Sequence, residues 1–542
     1  MAASTDATAP RSASTTESVA VGSVLASVIA PSCYGREPIA SGALDRGRQP
    51  AAAQSHLYRT PWFLCPGRVR LARSGAPVAE SDTCDPGGVA DPSRIERIGP
   101  GDLTELVSDV GPVPLHVGAV IFLAGGVEPD PVALQAALTE RLTGIRRLRQ
   151  CLSEPALGLG RPYWLDDEHF DVDAHLSQVR CPVPGSRDAA MALAVDALTR
   201  PLPRSRPLWR AILVTDIADP HGNTALVMVM HHVLADGIGG LAVLAHLVDG
   251  ADVSDELGRS IPPDRHRACP KPRTRELLAD NVIERLRSLR RVPQSVAGLP
   301  AAWAELGRGI GGRAPRCSFN APTGVRRAVG TVEVDLDATR VEGRRWGATV
   351  NDVLLVATSG ALADILRTRG ESPSELVISV PVSARGANTD GELGNQVGVM
   401  PVRVPLAGTP AQRLVSVSRS TRAQKSSVRG RSATLLGPLF RGLAAIRIFR
   451  WFVDRQHLVN SFLSNLPGPS SPLRVAGARV TAIVPLIVNT GNVGVAFVAL
   501  SYAGTLTVTI IVDPDLVPEV RELTEALHEQ FQAITVGGTS AQ

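Results

Sequence analysis

The sequence predicts an α/β protein built from two halves, and three observations support this prediction. Apolar runs typical of strands alternate with segments of helical periodicity, a pattern that favours an α/β architecture. The 542 residues exceed the size at which one hydrophobic core usually keeps growing, so we expect two domains. An Arg- and Pro-rich stretch, 251–325, separates the alternating regions 96–250 and 326–535, and we interpret it as a crossover linker.

The first half, 96–250, carries the clearest element signals. Its predicted strands are Val117 to Leu123, Trp209 to Ile217 and Ala225 to Met230. Its predicted helices begin at Asp130-Pro131, with aspartate as the cap, and at Ile238, which follows a tight turn. Residues 1–95 are rich in Ala, Ser, Pro and Gly without periodicity, so we interpret them as a disordered extension or a start-site artefact.

The linker and the second half continue the alternation. We predict one helix in the linker, Thr274 to Arg291. A Thr349-x-x-Asp352 capping pattern precedes an apolar run, which indicates a helix start. The predicted strands of this half are Val329 to Leu336, Leu376 to Pro381, Val397 to Val404 and a β-rich stretch from Val480 to Val512, followed by a terminal helix, Pro518 to Phe531.

The composition excludes several classes of function. Hydrophobic residues make up 44% and charged residues 20%, as in a globular protein. A net charge of +4 and an aromatic content of 4% give no reason to expect a nucleic-acid partner. Seven scattered cysteines without metal spacing predict a reducing compartment and no metal site. No apolar run reaches about 18 residues, so we expect neither a transmembrane helix nor secretion.

The most informative stretch is His231-His232-Val233-Leu234-Ala235-Asp236-Gly237, which ends a buried strand. A neutral imidazole is well suited to take a proton near pH 7, so the strand end predicts a catalytic base. A structural histidine pair held by backbone groups is the main alternative, and a metal site is a second one. Neighbouring residues of a strand point to opposite faces, and no zinc-ligand spacing is present, which disfavours a metal.

Together with other motifs, this stretch resembles the bacterial wax ester synthase/diacylglycerol acyltransferase family, whose signature is HHxxxDG. The resemblance covers about Ile98 to Phe531, roughly four-fifths of the chain. The further matching motifs are LGLGRPYWLDDEHFDVDAH at 157–175, PLW at 207–209, ND at 351–352, VPVSAR at 380–385, GNQVGVMP at 394–401 and NLPGP at 465–469.

The resemblance implies a fold, an activity and partners. It implies two chloramphenicol-acetyltransferase-like α/β domains with the active site at their interface. It implies transfer of a fatty acyl group from acyl-CoA, as co-substrate and without another cofactor, to diacylglycerol or a long-chain alcohol. The acceptor is not legible in the sequence. The alternatives are a carrier-protein-dependent condensation or ester-forming acyltransferase, and a lipid-binding paralogue without turnover.

The candidate catalytic residues are His231, His232, Asp236 and Asn351. By resemblance, His232 is the general base, and no GxSxG elbow offers a covalent nucleophile. For His231 a structural role that holds the turn is at least as well supported as a catalytic one. Asn351 is expected either to stabilise the tetrahedral oxygen or to act as an ordinary helix cap.

The remaining motif residues are expected to shape the site. We interpret Asp236 as architectural rather than catalytic, and the resemblance implies that its partner is Arg385. Gly237 is interpreted as the residue that permits the turn, and Asp352 as structural. Asn465 and Gly468, in NLPGP, are interpreted as part of a tight loop without a chemical role. The sequence does not identify the residues that bind substrate.

Two basic stretches bear on location. Thr274 to Arg291 carries five arginines, and Arg429 to Arg455 combines arginines with large apolar residues. Such segments can lie at an anionic bilayer surface, although a solvated helix is an equal alternative. We therefore expect a cytoplasmic protein that associates peripherally with the inner face of the cell membrane or with a lipid-droplet surface.

Overall fold

A computed structural model gives the fold of the chain in ten stretches. It describes residues 95–124, 130–156, 158–219, 222–234, 237–250, 271–287, 313–383, 397–427, 443–444 and 447–535. The predicted N-terminal extension therefore lies outside the described residues, except for its last position.

Fourteen strands and ten helices alternate along the described part of the chain. The strands are β1 (His116–Ala124), β2 (Gln150–Ser153), β3 (Tyr163–Asp166), β4 (Leu176–Arg180), β5 (Trp209–Thr215), β6 (Thr224–His231), β7 (Ala328–Asp335), β8 (Glu375–Ser383), β9 (Val397–Pro405), β10 (Ser461–Pro467), β11 (Arg474–Val475), β12 (Ala478–Ile487), β13 (Val495–Tyr502) and β14 (Thr505–Val512). The helices are α1 (Pro100–Ser108), α2 (Pro131–Gly144), α3 (Arg187–Thr199), α4 (Gly237–Leu247), α5 (274–287), α6 (Leu336–Arg345), α7 (Val350–Thr368), α8 (Pro410–Ser427), α9 (Phe449–Val453) and α10 (Val520–Thr535).

The strands form two six-stranded sheets and one small hairpin. The first sheet has the order β11-β12-β1-β6-β5-β4, and the second has the order β7-β14-β13-β10-β8-β9. Most neighbours in both sheets are antiparallel; β4 with β5, β10 with β13, and β10 with β8 are parallel. Strands β2 and β3 pair with each other. The predicted α/β class is confirmed.

One strand crosses between the two halves. The sequence places the whole β-rich stretch from Val480 in the second half, but β12 pairs along its length with β1 of the first sheet. Only β13 and β14 of that stretch join the second sheet. The second half of the chain therefore completes the first sheet, which ties the two halves together by backbone hydrogen bonds as well as by side-chain packing.

Three buried clusters place the sheets in layers. One cluster contains Val227 of β6, Val484 of β12, Phe462 of β10 and Val498 of β13, so it is shared by the two sheets. A second joins the first sheet to α2 and α4, and a third joins the second sheet to α7 and α10. The packed core between the sheets fixes the strand ends of both halves relative to each other.

Local signals predicted several helix starts. The Asp130 side chain accepts a hydrogen bond from the Val132 N–H at 3.0 Å, and Pro131 occupies the first turn of α2, as the cap pattern predicts. Leu134, Leu138 and Leu142 form its buried face. Among the described helices, no single one is long and apolar enough to cross a membrane; α6 and α7, bent by 96° relative to each other, pass that test only as a pair.

Candidate active site

His231 closes β6 and is held on both ring nitrogens. The Val233 N–H donates to its Nδ1 at 3.1 Å, which leaves the proton on Nε2. That Nε2 donates to Asp109 Oδ2 at 3.1 Å. Since both nitrogens have partners, His231 fixes the turn after β6, as its structural interpretation anticipates.

His232 follows β6 and is almost fully buried, with 1% of its surface exposed. The backbone N–H of His232 donates to the Leu115 carbonyl at 2.9 Å, which fixes the backbone of His232 beside β1. Its Nδ1 lies 3.9 Å from Glu105 Oε2, within ion-pair distance but beyond a hydrogen bond. Burial, together with the electrostatic effect of the neighbouring His231 ring, lowers the pKa of His232 from 6.5 to about 4. The imidazole is therefore neutral at pH 7, as a general base must be.

A third histidine lies beside the pair and was not identified from the sequence. His116 of β1 is the cross-strand neighbour of His231, with the two rings edge to face at 5.8 Å between centroids. Its Nδ1 is 2.8 Å from the Leu198 carbonyl. Burial lowers the pKa of His116 to about 4, so it too is neutral at pH 7. An isolated histidine at a strand start carries no local signal of this arrangement.

Both acidic partners of the histidine pair come from α1 and the residue after it. Glu105 is 2% exposed, and Asp109 follows the last turn of α1. Asp109 accepts hydrogen bonds from His231, from the Leu115 N–H at 3.0 Å and from Arg204 at 3.0 Å. Burial alone raises the pKa of Asp109, but the hydrogen bond and charge of His231 and the other donors outweigh it and hold that pKa below 3.8.

These acids could have been suspected from their spacing. Glu105 and Asp109 are four residues apart, so a helix running through both positions would present them on one side. The sequence gives no indication that this side meets the end of β6. The acid–histidine pairs are therefore a product of the tertiary fold.

Asn351 lies in the first turn of α7 and is 5% exposed. Its side-chain carbonyl accepts a hydrogen bond from the Asn465 amide at 2.5 Å. Asn465 belongs to β10, a central strand of the second sheet, and not to the tight loop that the NLPGP motif suggested. The orientation of the Asn351 amide is thus set by a partner 114 positions away.

The cap of α7 is Thr349, so Asn351 does not have that role. The Thr349 hydroxyl accepts from the Asp352 N–H, while the Thr349 N–H donates to Asp352 Oδ2 at 2.8 Å. Asp352 Oδ1 accepts from Thr421 at 2.7 Å, which fastens α7 to α8. The predicted capping pattern is confirmed, and the contacts of Asp352 are structural.

The remaining motif residues are Asp236, Gly237, Arg385 and Gly468. Asp236 and Arg385 lie outside the described residues, so their proposed ion pair stays a prediction. Gly237 is the first residue of α4. Gly468 follows β10, where an added Cβ would lie 2.2 Å from the Ser501 carbonyl oxygen, so close approach of β13 requires glycine at this position.

The structure brings the candidate residues together as two groups. His231 lies beside Asp109 and His232 beside Glu105, whereas Asn351 and Asn465 form a separate pair in the second half. The residues that follow each group in the chain, Val233 after the histidines and Leu466 after Asn465, belong to one hydrophobic cluster that spans both halves. The chain segments that carry His232 and Asn465 thus border the same core.

Two of the histidines, His116 and His232, have pKa values of about 4, which predicts a loss of stability in acid. Between pH 6.5 and about 4, His116 and His232 bind protons in the unfolded chain but not in the folded one, so lowering the pH favours unfolding. Above pH 6.5 both are neutral in either state and contribute no pH dependence. Two such groups lower the free energy of unfolding by at most about 3 kcal/mol for each unit by which the pH falls.

Urea denaturation measured at pH 7 and pH 5 checks this prediction. We expect a lower midpoint at pH 5, and we expect His116→Gln to reduce the difference between the two midpoints by removing one of the two groups. His528→Gln, on the exposed side of α10, is the control that should leave the difference unchanged. Equal midpoints at both pH values for the wild type would contradict the buried, neutral state of these imidazoles.

Comparison with protein families gives two adjacent matches. Residues 99–354 match the wax ester synthase/diacylglycerol acyltransferase catalytic domain, and residues 393–535 match the WS/DGAT C-terminal domain. A probable diacylglycerol O-acyltransferase of Mycobacterium tuberculosis is 30% identical over 426 residues, covering 77% of this chain and 90% of that protein. The O-acyltransferase WSD of Acinetobacter baylyi is 25% identical over 446 residues, covering 77% and 92%.

Solved structures agree on the fold. The wax ester synthase/diacylglycerol acyltransferase of Marinobacter aquaeolei superposes with a TM-score of 0.59 at 21% identity, covering 82% of this chain and all of that one. The starter condensation domain of rhizomide synthetase gives a TM-score of 0.54 at 15% identity, covering 82% and 95%. The expected pair of chloramphenicol-acetyltransferase-like halves is confirmed by these similarities.

Proposed function

Because the chain belongs to the wax ester synthase/diacylglycerol acyltransferase family, we propose that it esterifies diacylglycerol with the acyl group of acyl-CoA. The products are triacylglycerol and free CoA. The observation that carries this proposal is His232, a buried and neutral imidazole in the HHxxxDG stretch at the end of β6. Acyl-CoA serves as co-substrate, and no other cofactor takes part in the proposed steps.

His232 acts as general base in the proposed reaction. Its Nδ1 lies 3.9 Å from Glu105 Oε2, and in the proposed reaction the acceptor hydroxyl approaches the ring from the Nε2 side. As Nε2 takes the hydroxyl proton, the oxygen attacks the thioester carbonyl carbon and a C–O bond forms. When the tetrahedral intermediate collapses, the C–S bond breaks and the imidazolium returns the proton to the CoA sulfur. The charge of His232 is therefore restored after each turnover.

Asn351 stabilises the oxygen of the tetrahedral intermediate in this proposal. The Asn465 amide engages the Asn351 side-chain oxygen, which directs the Asn351 NH₂ group away from Asn465. A donor oriented before the substrate arrives needs no reorganisation as negative charge develops. The positive end of the α7 dipole adds to this stabilisation.

Glu105 is a positioning residue in this scheme, because its carboxylate favours the protonated state of His232 during the reaction. Glu105→Gln is expected to lower kcat about tenfold with little change in KM, and to move the acidic limb of the rate profile to lower pH. The matched control is Asp102→Asn, a buried acid of α1 that accepts the Gly99 N–H at the helix start. It should leave the acidic limb in place. An unshifted limb in Glu105→Gln would remove this role.

The acceptor decides between the two activities of the family. A second candidate function is wax ester synthesis, since the family model carries both names. Purified protein is given palmitoyl-CoA with either diolein or hexadecanol, and the products are separated by mass spectrometry. Triacylglycerol as the main product supports the proposal, and wax ester as the main product supports the second candidate. Product from acyl-carrier thioesters alone, or ligand-induced stabilisation without any product, would point to the alternatives raised by the sequence.

We also propose that the enzyme acts in the cytoplasm at the inner face of the cell membrane, where diacylglycerol is dissolved. Cys151, Cys181 and Cys317, the cysteines in the described ranges, are free thiols, which supports a reducing compartment. Of the two basic stretches, much of 429–455 lies outside the described residues, although its Trp451 is 59% exposed. The other stretch includes α5.

A further inference from the structure

Helix α5 is attached to the first half of the protein through its polar side. Asp280 pairs with Arg97 at 2.5 Å, and both side chains are nearly buried. Glu284 accepts two hydrogen bonds from Arg161, at 2.6 and 2.8 Å. Asn281, also buried, donates to a backbone carbonyl at 2.7 Å. The side chains of Asp280, Asn281 and Glu284 thus face the protein.

The opposite side of α5 presents aliphatic residues to the outside. Leu278, Val282 and Leu286 are 51%, 48% and 56% exposed. Their spacing of four residues places them in one line along the helix, and we call these three residues the apolar stripe. They account for three of the ten exposed large hydrophobic residues in the described part of the chain, although α5 has only fourteen residues there.

This orientation differs from that of an ordinary surface helix, because α5 buries Leu277 but leaves the apolar stripe exposed. Such a helix buries its apolar stripe and turns its charged residues to water. Here the ion pairs of Asp280 and Glu284 hold the helix so that the apolar stripe cannot reach the protein core. An exposed line of aliphatic residues fixed in this way marks a surface that meets an apolar partner.

The charges around the apolar stripe indicate which kind of partner. Lys271, Arg273, Arg275, Arg285 and Arg287 are all exposed on or beside α5. Of the three acids of α5, Asp280 and Glu284 are engaged by arginines of the first half, and Glu276 accepts the Arg273 backbone N–H. The five exposed cations therefore make this surface basic. Aliphatic residues flanked by arginines match an anionic lipid surface, where the former enter the interface and the latter meet phosphates.

We propose that α5 is the membrane-docking surface of this enzyme and that its partner is an anionic lipid bilayer. The proposal rests on the proposed function only in that it explains how an enzyme reaches an acceptor dissolved in lipid. The binding itself is independent of catalysis, so the two can be tested separately. Docking through a helix that is tethered by ion pairs would hold the first half of the protein, which carries His232, at the lipid surface.

The test measures co-sedimentation of the full-length protein with vesicles of phosphatidylcholine, with and without phosphatidylglycerol. The variant Leu278→Ser/Val282→Ser/Leu286→Ser removes the apolar stripe. The matched control, Val132→Ser/Val179→Ser/Val341→Ser, changes three exposed valines elsewhere on the surface. We expect the stripe variant to bind phosphatidylglycerol vesicles about tenfold more weakly, while the control binds like the wild type.

A second variant tests the charges. The variant Arg275→Gln/Arg285→Gln/Arg287→Gln should lose the preference for phosphatidylglycerol vesicles over pure phosphatidylcholine vesicles. Added salt should reduce the same preference in the wild type. Circular dichroism checks that all variants are folded. The proposal would be overturned if a folded stripe variant bound vesicles as tightly as the wild type does. The proposal would also be overturned if the wild type formed a dimer that the stripe substitutions dissociate without any change in vesicle binding. A loss of stability in the stripe variant would likewise overturn it, because it would show that another segment of this chain covers the stripe.

Activity separates this proposal from the proposed function. With a short-chain diacylglycerol dispersed in water, the stripe variant should retain the rate of the wild type, and it should lose rate only when the acceptor is embedded in vesicles. If the wild type transfers no acyl group to any acceptor but binds vesicles through the apolar stripe, the proposed function fails and the docking surface stands. Equal rates of both proteins on vesicle-embedded acceptor, with equal binding, would reject the docking surface alone.

Discussion

His232→Gln is expected to lower kcat for acyl transfer by roughly 10²- to 10⁴-fold while leaving the protein folded. Glutamine is similar in size to histidine and can hydrogen-bond, but it cannot take a proton from an alcohol at neutral pH. Because His232 is buried and neutral, the loss should come from the missing base and not from a surface charge. The measurement is steady-state transfer from palmitoyl-CoA to diolein, with thermal unfolding as the check on folding.

A matched control exists within the same half of the protein. His175 is also buried, stacks on Trp209 at 4.7 Å and binds the Trp209 backbone carbonyl through Nδ1. His175→Gln should therefore change stability without a comparable loss of rate. If His232→Gln keeps more than a few per cent of the wild-type rate, the base must be sought elsewhere in the site.

Asn351→Ala is expected to give the second largest effect, a fall in kcat of about 10²- to 10³-fold with a modest change in KM. An oxyanion donor acts on the transition state far more than on bound substrate, so the loss should appear in kcat. Thr349 and Asp352 cap α7, so the substitution leaves the helix start intact. Asn465→Ala should show a smaller loss of the same kind, because it only releases the Asn351 amide from its orientation.

Asn320→Ala is the comparison for this experiment. Asn320 donates hydrogen bonds to backbone carbonyls of Asn460 and Asn492, so its loss should reduce stability and leave kcat near the wild-type value. A rate for Asn351→Ala close to that of Asn320→Ala would show that the Asn351 amide does not face the developing oxyanion. The α7 backbone N–H groups would then be the remaining donors.

Elements with complete local signals could be predicted from the sequence. Helix α2 has a cap, a proline in its first turn and leucines at spacings of four, and each of these acts within a few residues. The start of α7 was predicted for the same reason. Strand β10 was not predicted, because Pro467 and Gly468 mark a turn and the apolar residues before them are too few to indicate a strand.

Contacts between distant segments could not be predicted in this way. Strand β12 has an ordinary strand pattern, and nothing within it indicates that its partner is β1 of the other half. Asp109 and Glu105 follow a helical spacing, but their partners His231 and His232 are more than 120 positions away. The outward position of the apolar stripe of α5 likewise follows from ion pairs with Arg97 and Arg161, which lie in a different part of the chain.

The sequence by itself determined the α/β class, the two halves, the family and the histidine proposed as base, because these depend on residue order and on patterns repeated over short distances. Only the tertiary structure decided which acids accompany the two histidines, which amide orients Asn351 and which half completes the first sheet. Those features arise from packing between segments far apart in the chain, whose hydrogen bonds and ion pairs depend on the fold that brings these segments together.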